Sequence, residues 1–164
     1  MTEGLRASDD LLPWAERILA EQRDALRAAG VPGDLVLVGG SSVPGALTRG
    51  DVDLHLRVAA ADFAAAVDAL RRTHTIVHPE IWGPTLAAFE AVDTALPTGI
   101  AVTPVGSEHD LRFHRTWELL RADPALVEEY NAAKLADDGP AGEGYEDRKS
   151  AFFDRVLRLW PGAD

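Results

Sequence analysis

The chain has 164 residues, 46% hydrophobic and 26% charged, which is the size and composition of one soluble globular domain with one core. A formal net charge of -11 argues against a broad nucleic-acid surface, which needs clustered Lys and Arg, but leaves room for a small anion held by a few local cations. The lack of cysteine excludes a disulfide framework and a Cys nucleophile, and no apolar run approaches a membrane span, so a cytoplasmic protein without membrane or nucleic-acid partners is expected.

The first ten residues, MTEGLRASDD, are acidic and carry no apolar signal core. An amphipathic helix is predicted over residues 9–29, capped by Ser8 and ended by Gly30 in the left-handed conformation. Trp14, Ile18, Ala25 and Leu26 fall near one face of it. Residues 35–38 are a short, continuous apolar run, the pattern of a buried strand, and residues 39–50 are too rich in Gly, Ser and Pro to extend it. Val52, Leu54, Leu56 and Val58 then alternate with Asp51, Asp53, His55 and Arg57, giving a strand with one apolar and one polar face.

Residues 59–73 read as a helix that buries Phe63, Val67 and Leu70. Three more strands are predicted at 74–79, 86–92 and 99–105, limited by Pro84, Pro97 and Pro104. Helices follow at 110–121, 124–137 and 145–160, with Asp123 as cap and Pro124 in the first turn of the second, and a loop at 138–142. The expected fold class is α+β: one domain over residues 1–164, with a mixed β-sheet, an N-terminal helix and a C-terminal helical cap.

Two short patterns carry chemistry. Gly39-Gly40-Ser41-Ser42 follows a buried strand, where bare backbone, amides and serine hydroxyls can approach phosphate oxygens. An ordinary turn with Ser as a helix cap is the plainer reading of those residues. Asp51 and Asp53 emerge on one face of one strand, so they repel each other unless a cation such as Mg²⁺ lies between them. A solvated polar face is the plainer reading here. Glu90 is the best-placed third carboxylate, as general base or metal ligand; its alternative is an edge-strand charge. Arg49, just before the acids, is a candidate phosphate clamp. Lys134 and Lys149 each follow a Tyr by four residues, sharing a helix face with it, and either reach a triphosphate or cover the core edge. His55 continues the polar face and either touches substrate or pairs with an acid. The remaining histidines lack metal spacing, and no Gly-x-x-x-x-Gly-Lys run is present.

The order is more informative than either pattern: strand, Gly-Ser turn, linker, then Asp-x-Asp. It resembles the nucleotidyltransferase superfamily that includes DNA polymerase beta. Ser41-Ser42-Val43-Pro44-Gly45, followed by Arg49 and Val52-Asp53, resembles the GrpB family in particular. So do Arg121-Ala122-Asp123-Pro124, Tyr130-x-x-x-Lys134 and Tyr145-x-x-x-Lys149-x-x-Phe152, so the likeness runs through nearly the whole chain. Gly40 stands where the family usually has Ser. Residues 99–103 lack its His-x-His pair, and Trp117 stands where an Arg is usual. The resemblance implies a nucleotidyltransferase-like sheet and Mg²⁺-dependent transfer of a nucleotidyl or phosphoryl group from a nucleoside triphosphate to a small acceptor. In that reading Asp51, Asp53 and Glu90 are catalytic, the first two hold metal, and Gly39, Gly40, Ser41, Ser42, Arg49, Lys134 and Lys149 hold phosphate. The departures leave a second reading: a catalytically inactive module of that fold that binds a small ligand or a protein.

Overall fold

Two sets of side chains leave the central sheet in opposite directions, and each is covered by its own helices. The computed structural model describes residues 4–162; residues 1–3 of the acidic N-terminal stretch lie outside them. In chain order the elements are β1 (Arg6–Ala7), α1 (Ser8–Ala28), β2 (Asp34–Val38), β3 (Leu47–Thr48), β4 (Val52–Val58), α2 (Phe63–Arg71), β5 (Thr75–Ile76), β6 (Ala87–Glu90), β7 (Thr98–Pro104), α3 (Glu108–Ala122), α4 (Pro124–Leu135) and α5 (Tyr145–Leu157). The main sheet runs β2-β4-β7-β6-β5, with β4 and β7 parallel and the other pairs antiparallel. β1 and β3 form a separate two-stranded ribbon.

The period-2 reading of β4 holds. Val52, Leu54, Leu56 and Val58 are all buried on one face, against α1 and α2. Each such aliphatic side chain contributes roughly 1.5–3 kcal/mol on burial. On α1 the buried stripe is Leu11, Ala15, Ile18 and Leu26; Trp14 is 46% exposed and Ala25 is also exposed, so the expected stripe is rotated. Ser8 is the first helical residue rather than the cap, because its hydroxyl donates to Val43 O at 2.6 Å, across to the segment after β2. Gly30 does take the left-handed conformation.

The opposite face of the sheet is covered over much of its extent. Val38 and Val43 join Trp117, Leu120, Tyr130 and Phe152 in a second core under α3, α4 and α5. This cap also covers the polar side of β4. His55 is fully buried, with Nε2 2.7 Å from Thr103 Oγ1 and the Phe113 ring edge-on at 5.3 Å. Burial pushes the His55 pKa down to about 4, outweighing the pull of Asp110, so the ring is neutral. Arg57 next to it makes a two-pronged bond to Asp110, at 2.6 and 2.9 Å, fixing the start of α3 on β4.

Other boundaries shift for local reasons. The predicted strand at 74–79 shrinks to Thr75–Ile76, because left-handed His78 and then Pro79 start a short 3-10 turn. The helix at 59–73 opens with a 3-10 turn at Ala60–Asp62, and the expected loop at 138–142 overlaps another at Ala136–Ala141. Asp123 caps α4 as expected, accepting from Ala125 N at 2.9 Å.

Candidate functional site

Asp53 lies where the end of β2 and the starts of β4 and β7 meet, in register with Val38 on one side and Gly99 on the other. Both neighbouring strands leave it room. Gly39 follows Val38 at φ 73°, and a Cβ there would run into the Asp53 carboxylate. A Cβ on Gly99 would lie 3.7 Å from Asp53 Oδ1. Burial, and then the nearby Asp51 carboxylate, push the Asp53 pKa up to about 6; Lys149 and Lys134 offset this only in part. Asp51 itself is exposed.

The Gly-Ser segment forms a 3-10 turn, Gly40–Ser42, beside this carboxylate. Its hydroxyls face inward. Ser41 Oγ donates to Asp51 O at 2.5 Å, and Ser42 Oγ donates to Gly39 O at 2.8 Å while accepting from Arg121 Nη1 at 2.9 Å. In this geometry both hydroxyls direct their protons to backbone carbonyls. They hold the turn's shape, and the leading amides, Gly40 and Ser41, are the groups that precede its internal bonds.

The C-terminal cap brings Lys134 and Lys149, and Arg49 meets them from the linker before β4. Lys134 is 3% exposed; its ammonium donates to Leu47 O, sits 4.1 Å from the Tyr130 ring centroid and would lie 3.3 Å from a Cβ at Gly40. Burial, reinforced by Lys149, pulls its pKa down to about 8 against the pull of Asp51 and Asp53. Arg49 and Lys149 lie 4.6 and 4.9 Å from the Tyr145 ring centroid, and both also reach Glu146. The buried Tyr145 hydroxyl has no hydrogen-bond partner among the described residues. Arg49, Lys134 and Lys149 are thus gathered around Asp51, Asp53 and the turn. Arg121, which sequence reasoning placed only in a family stretch, joins them through Ser42.

The segment from the turn to β3 is fastened from both sides. Gly45 N donates to Asp9 Oδ2 on α1 at 3.1 Å. From α4, Asn131 Nδ2 donates to Gly45 O at 2.9 Å and its Oδ1 accepts from Leu47 N at 2.8 Å.

Glu90 stands apart. It pairs with Gly99, as Asp53 does from the other side, so the three form one row across β6, β7 and β4. Two strand spacings put Glu90 roughly 10 Å from Asp53, with bare Gly99 between them. Among the described residues no group of three or more His, Cys, Asp or Glu is placed to hold a metal. A cation at this corner would have two carboxylates from the chain and would draw its other oxygens from phosphate and water. Between Glu90 and the aspartates lies a cavity of about 470 Å³, floored by Ala88, Gly99 and Ala101 and walled by Phe113 and Trp117.

Residues 10–159 match the profile of the family described as GrpB protein. A UPF0157 protein of Vibrio cholerae serotype O1 is 32% identical over 126 residues, 73% of this chain and 63% of that one, so the chain spans less than two thirds of that relative's length. The crystal structure of conserved protein GrpB from Enterococcus faecalis superposes with a TM-score of 0.69 at 17% identity, over 89% of this chain and 94% of the other. The poly(U) polymerase Cid1 with MgGTP bound superposes with a TM-score of 0.54 at 12% identity, over 82% of this chain and 43% of Cid1. Cid1 with its short product ApU gives 0.53 at 14%, over 82% and 42%. At these identities the structural likenesses establish a shared fold: the mixed sheet is of the nucleotidyltransferase type.

Proposed function

The chain belongs to the GrpB family, and from that premise we propose that it binds a nucleoside triphosphate and transfers a nucleotidyl or phosphoryl group to a small acceptor. The observation that carries this reading is the seat of Asp53: a carboxylate between two glycines, beside a glycine-led turn, facing Lys134 and Lys149 from the C-terminal cap and Arg49 from the linker before β4. Lys134, Lys149 and Arg49 would balance the phosphates' charge, and the Gly40 and Ser41 amides would meet their oxygens. Ser41, Ser42 and Arg121 keep the turn in shape. Asp51 and Asp53 form a hard oxygen donor set whose mutual repulsion a cation relieves, so the residues fit Mg²⁺. Bound there, Mg²⁺ would neutralise charge on the transferring phosphate. Glu90, a strand beyond Gly99, serves the acceptor rather than the metal.

Titration calorimetry with ATP, GTP and UTP, each with and without Mg²⁺, tests the reading. Saturable heat that disappears in EDTA and in Asp53→Asn is expected. No heat with any of the three, together with an unchanged melting temperature, overturns it.

One observation favours a second reading, a non-catalytic ligand-binding module: no third carboxylate among the described residues joins Asp51 and Asp53. On that reading Asp51→Asn binds nucleotide as tightly as the parent, and no product forms.

A further inference from the structure

We infer that the cavity beside Asp53 is a binding site for a small cationic amphiphile, an amine carried on an apolar or aromatic body. Its role as acceptor rests on the transfer reading above; its binding does not.

Asp53 divides the corner into two sides of opposite polarity. Arg49, Lys134 and Lys149 lie on the side of α4 and α5. On the side of β7 and β6, the cavity lining holds Asp51, Asp53 and Glu90 and no Lys or Arg; its only other titratable group is His78. An anion such as a phosphate is drawn to the first side and repelled from the second. A cation is favoured in the second.

The cavity is built for a body as well as a charge. Strand alternation puts Gly99 and Ala101 of β7 on the same face as Asp53, and Ala88 of β6 pairs with Ala101. Three small residues therefore lie side by side where larger ones would fill the space. Phe113 and the buried Trp117 close it from α3. A volume of about 470 Å³ suits a small molecule, and aromatic walls with one or two placed charges are the usual make-up of such sites. Ring faces also attract an ammonium.

The row Asp53–Gly99–Glu90 sets the orientation. Glu90 is exposed at one end and Asp53 is half-buried at the other, roughly 10 Å away. The ammonium belongs at Glu90, the apolar body over Gly99, Ala101 and Ala88, and the far end of the molecule against Asp53.

Three probes of matched shape separate charge from shape: 3-phenylpropylamine, 3-phenylpropan-1-ol and 3-phenylpropanoate, titrated calorimetrically without nucleotide or metal. The amine is expected to bind saturably, on the order of tenfold more tightly than the propanoate. Glu90→Gln, a change at an exposed residue, should weaken the amine about tenfold and leave the alcohol within about twofold. Ala101→Leu, which fills the floor, should remove binding of both. The inference is overturned if the propanoate binds as tightly as the amine, if Glu90→Gln leaves the amine's affinity unchanged, or if none of the probes binds. Mg-ATP is titrated separately into the parent: amine binding with no nucleotide binding sinks the transfer reading and leaves this site standing, and the reverse sinks this site alone.

Discussion

A Cβ at Gly39 would collide with the Asp53 carboxylate, and a φ of 73° is strained for an L-residue, so the two positions are locked together. Gly39→Ala should destabilise the fold by about 1–3 kcal/mol and displace Asp53, whereas Gly99→Ala, with its Cβ at 3.7 Å, should fall within about 0.5 kcal/mol of the parent. Urea unfolding of the two variants compares them. Asp53 itself binds its proton more tightly in the folded protein than in the unfolded chain. Its own contribution to stability is therefore greatest below the ordinary carboxylate pKa of about 4 and is lost as pH rises toward about 6, where the loss levels off; Asp110, held below the usual range, contributes in the opposite sense. Measured in chelator, Asp53→Asn should flatten that part of the melting-temperature curve and melt higher than the parent above pH 6. An unchanged curve would mean that burial does not hold the carboxyl up. That Gly39, Gly40, Asp51, Asp53, Lys134 and Lys149 come together was legible in the sequence, because the Gly-Ser turn, the Asp pair and the Tyr/Lys spacings stand out as local patterns. The inward turn of the Ser41 and Ser42 hydroxyls was not, since a hydroxyl's partner depends on chain brought from ten and seventy-nine positions away.

At the level of elements, Asp110 ties the cap to the sheet. Burial alone would raise its carboxyl, but the Arg57 fork and the Gly106 amide, at 2.8 Å, outweigh that and hold it below the usual range. Asp110→Ala would leave Arg57 and that amide without their partner and should cost about 3 kcal/mol, read as a lowered urea midpoint with unchanged slope. Such ties explain which elements could be read in advance. β4 and α4 were legible because alternation and an Asp-Pro cap are local signals. The burial of His55 and the pairing of Arg57 with Asp110 were not, because α3 lies more than fifty residues further on and nothing near β4 announces it. The β1–β3 ribbon was missed since two residues per strand carry no periodicity.

Over the whole molecule the charge of -11 sets what approaches it. The cations at the corner are few and partly neutralised by Glu146, so a single-stranded oligouridylate should show no salt-sensitive anisotropy change at about 150 mM salt, where a basic groove would. A clear, salt-sensitive shift would show that the acidic surface does not govern binding. The fold's overall class was legible because helix and strand patterns follow one another in a known order. The two-sided polarity around Asp53 was not, because it appears only once β6, beyond β7, and the C-terminal helices are brought to the same corner. Gly45, with its amide held by Asp9 and its carbonyl by Asn131, has a further consequence. Its clasp closes only when the first helix and the fourth have both been made and docked. The phosphate side of the corner therefore waits for α4: a chain that ends before it would lack both the Asn131 half of the clasp and Lys134.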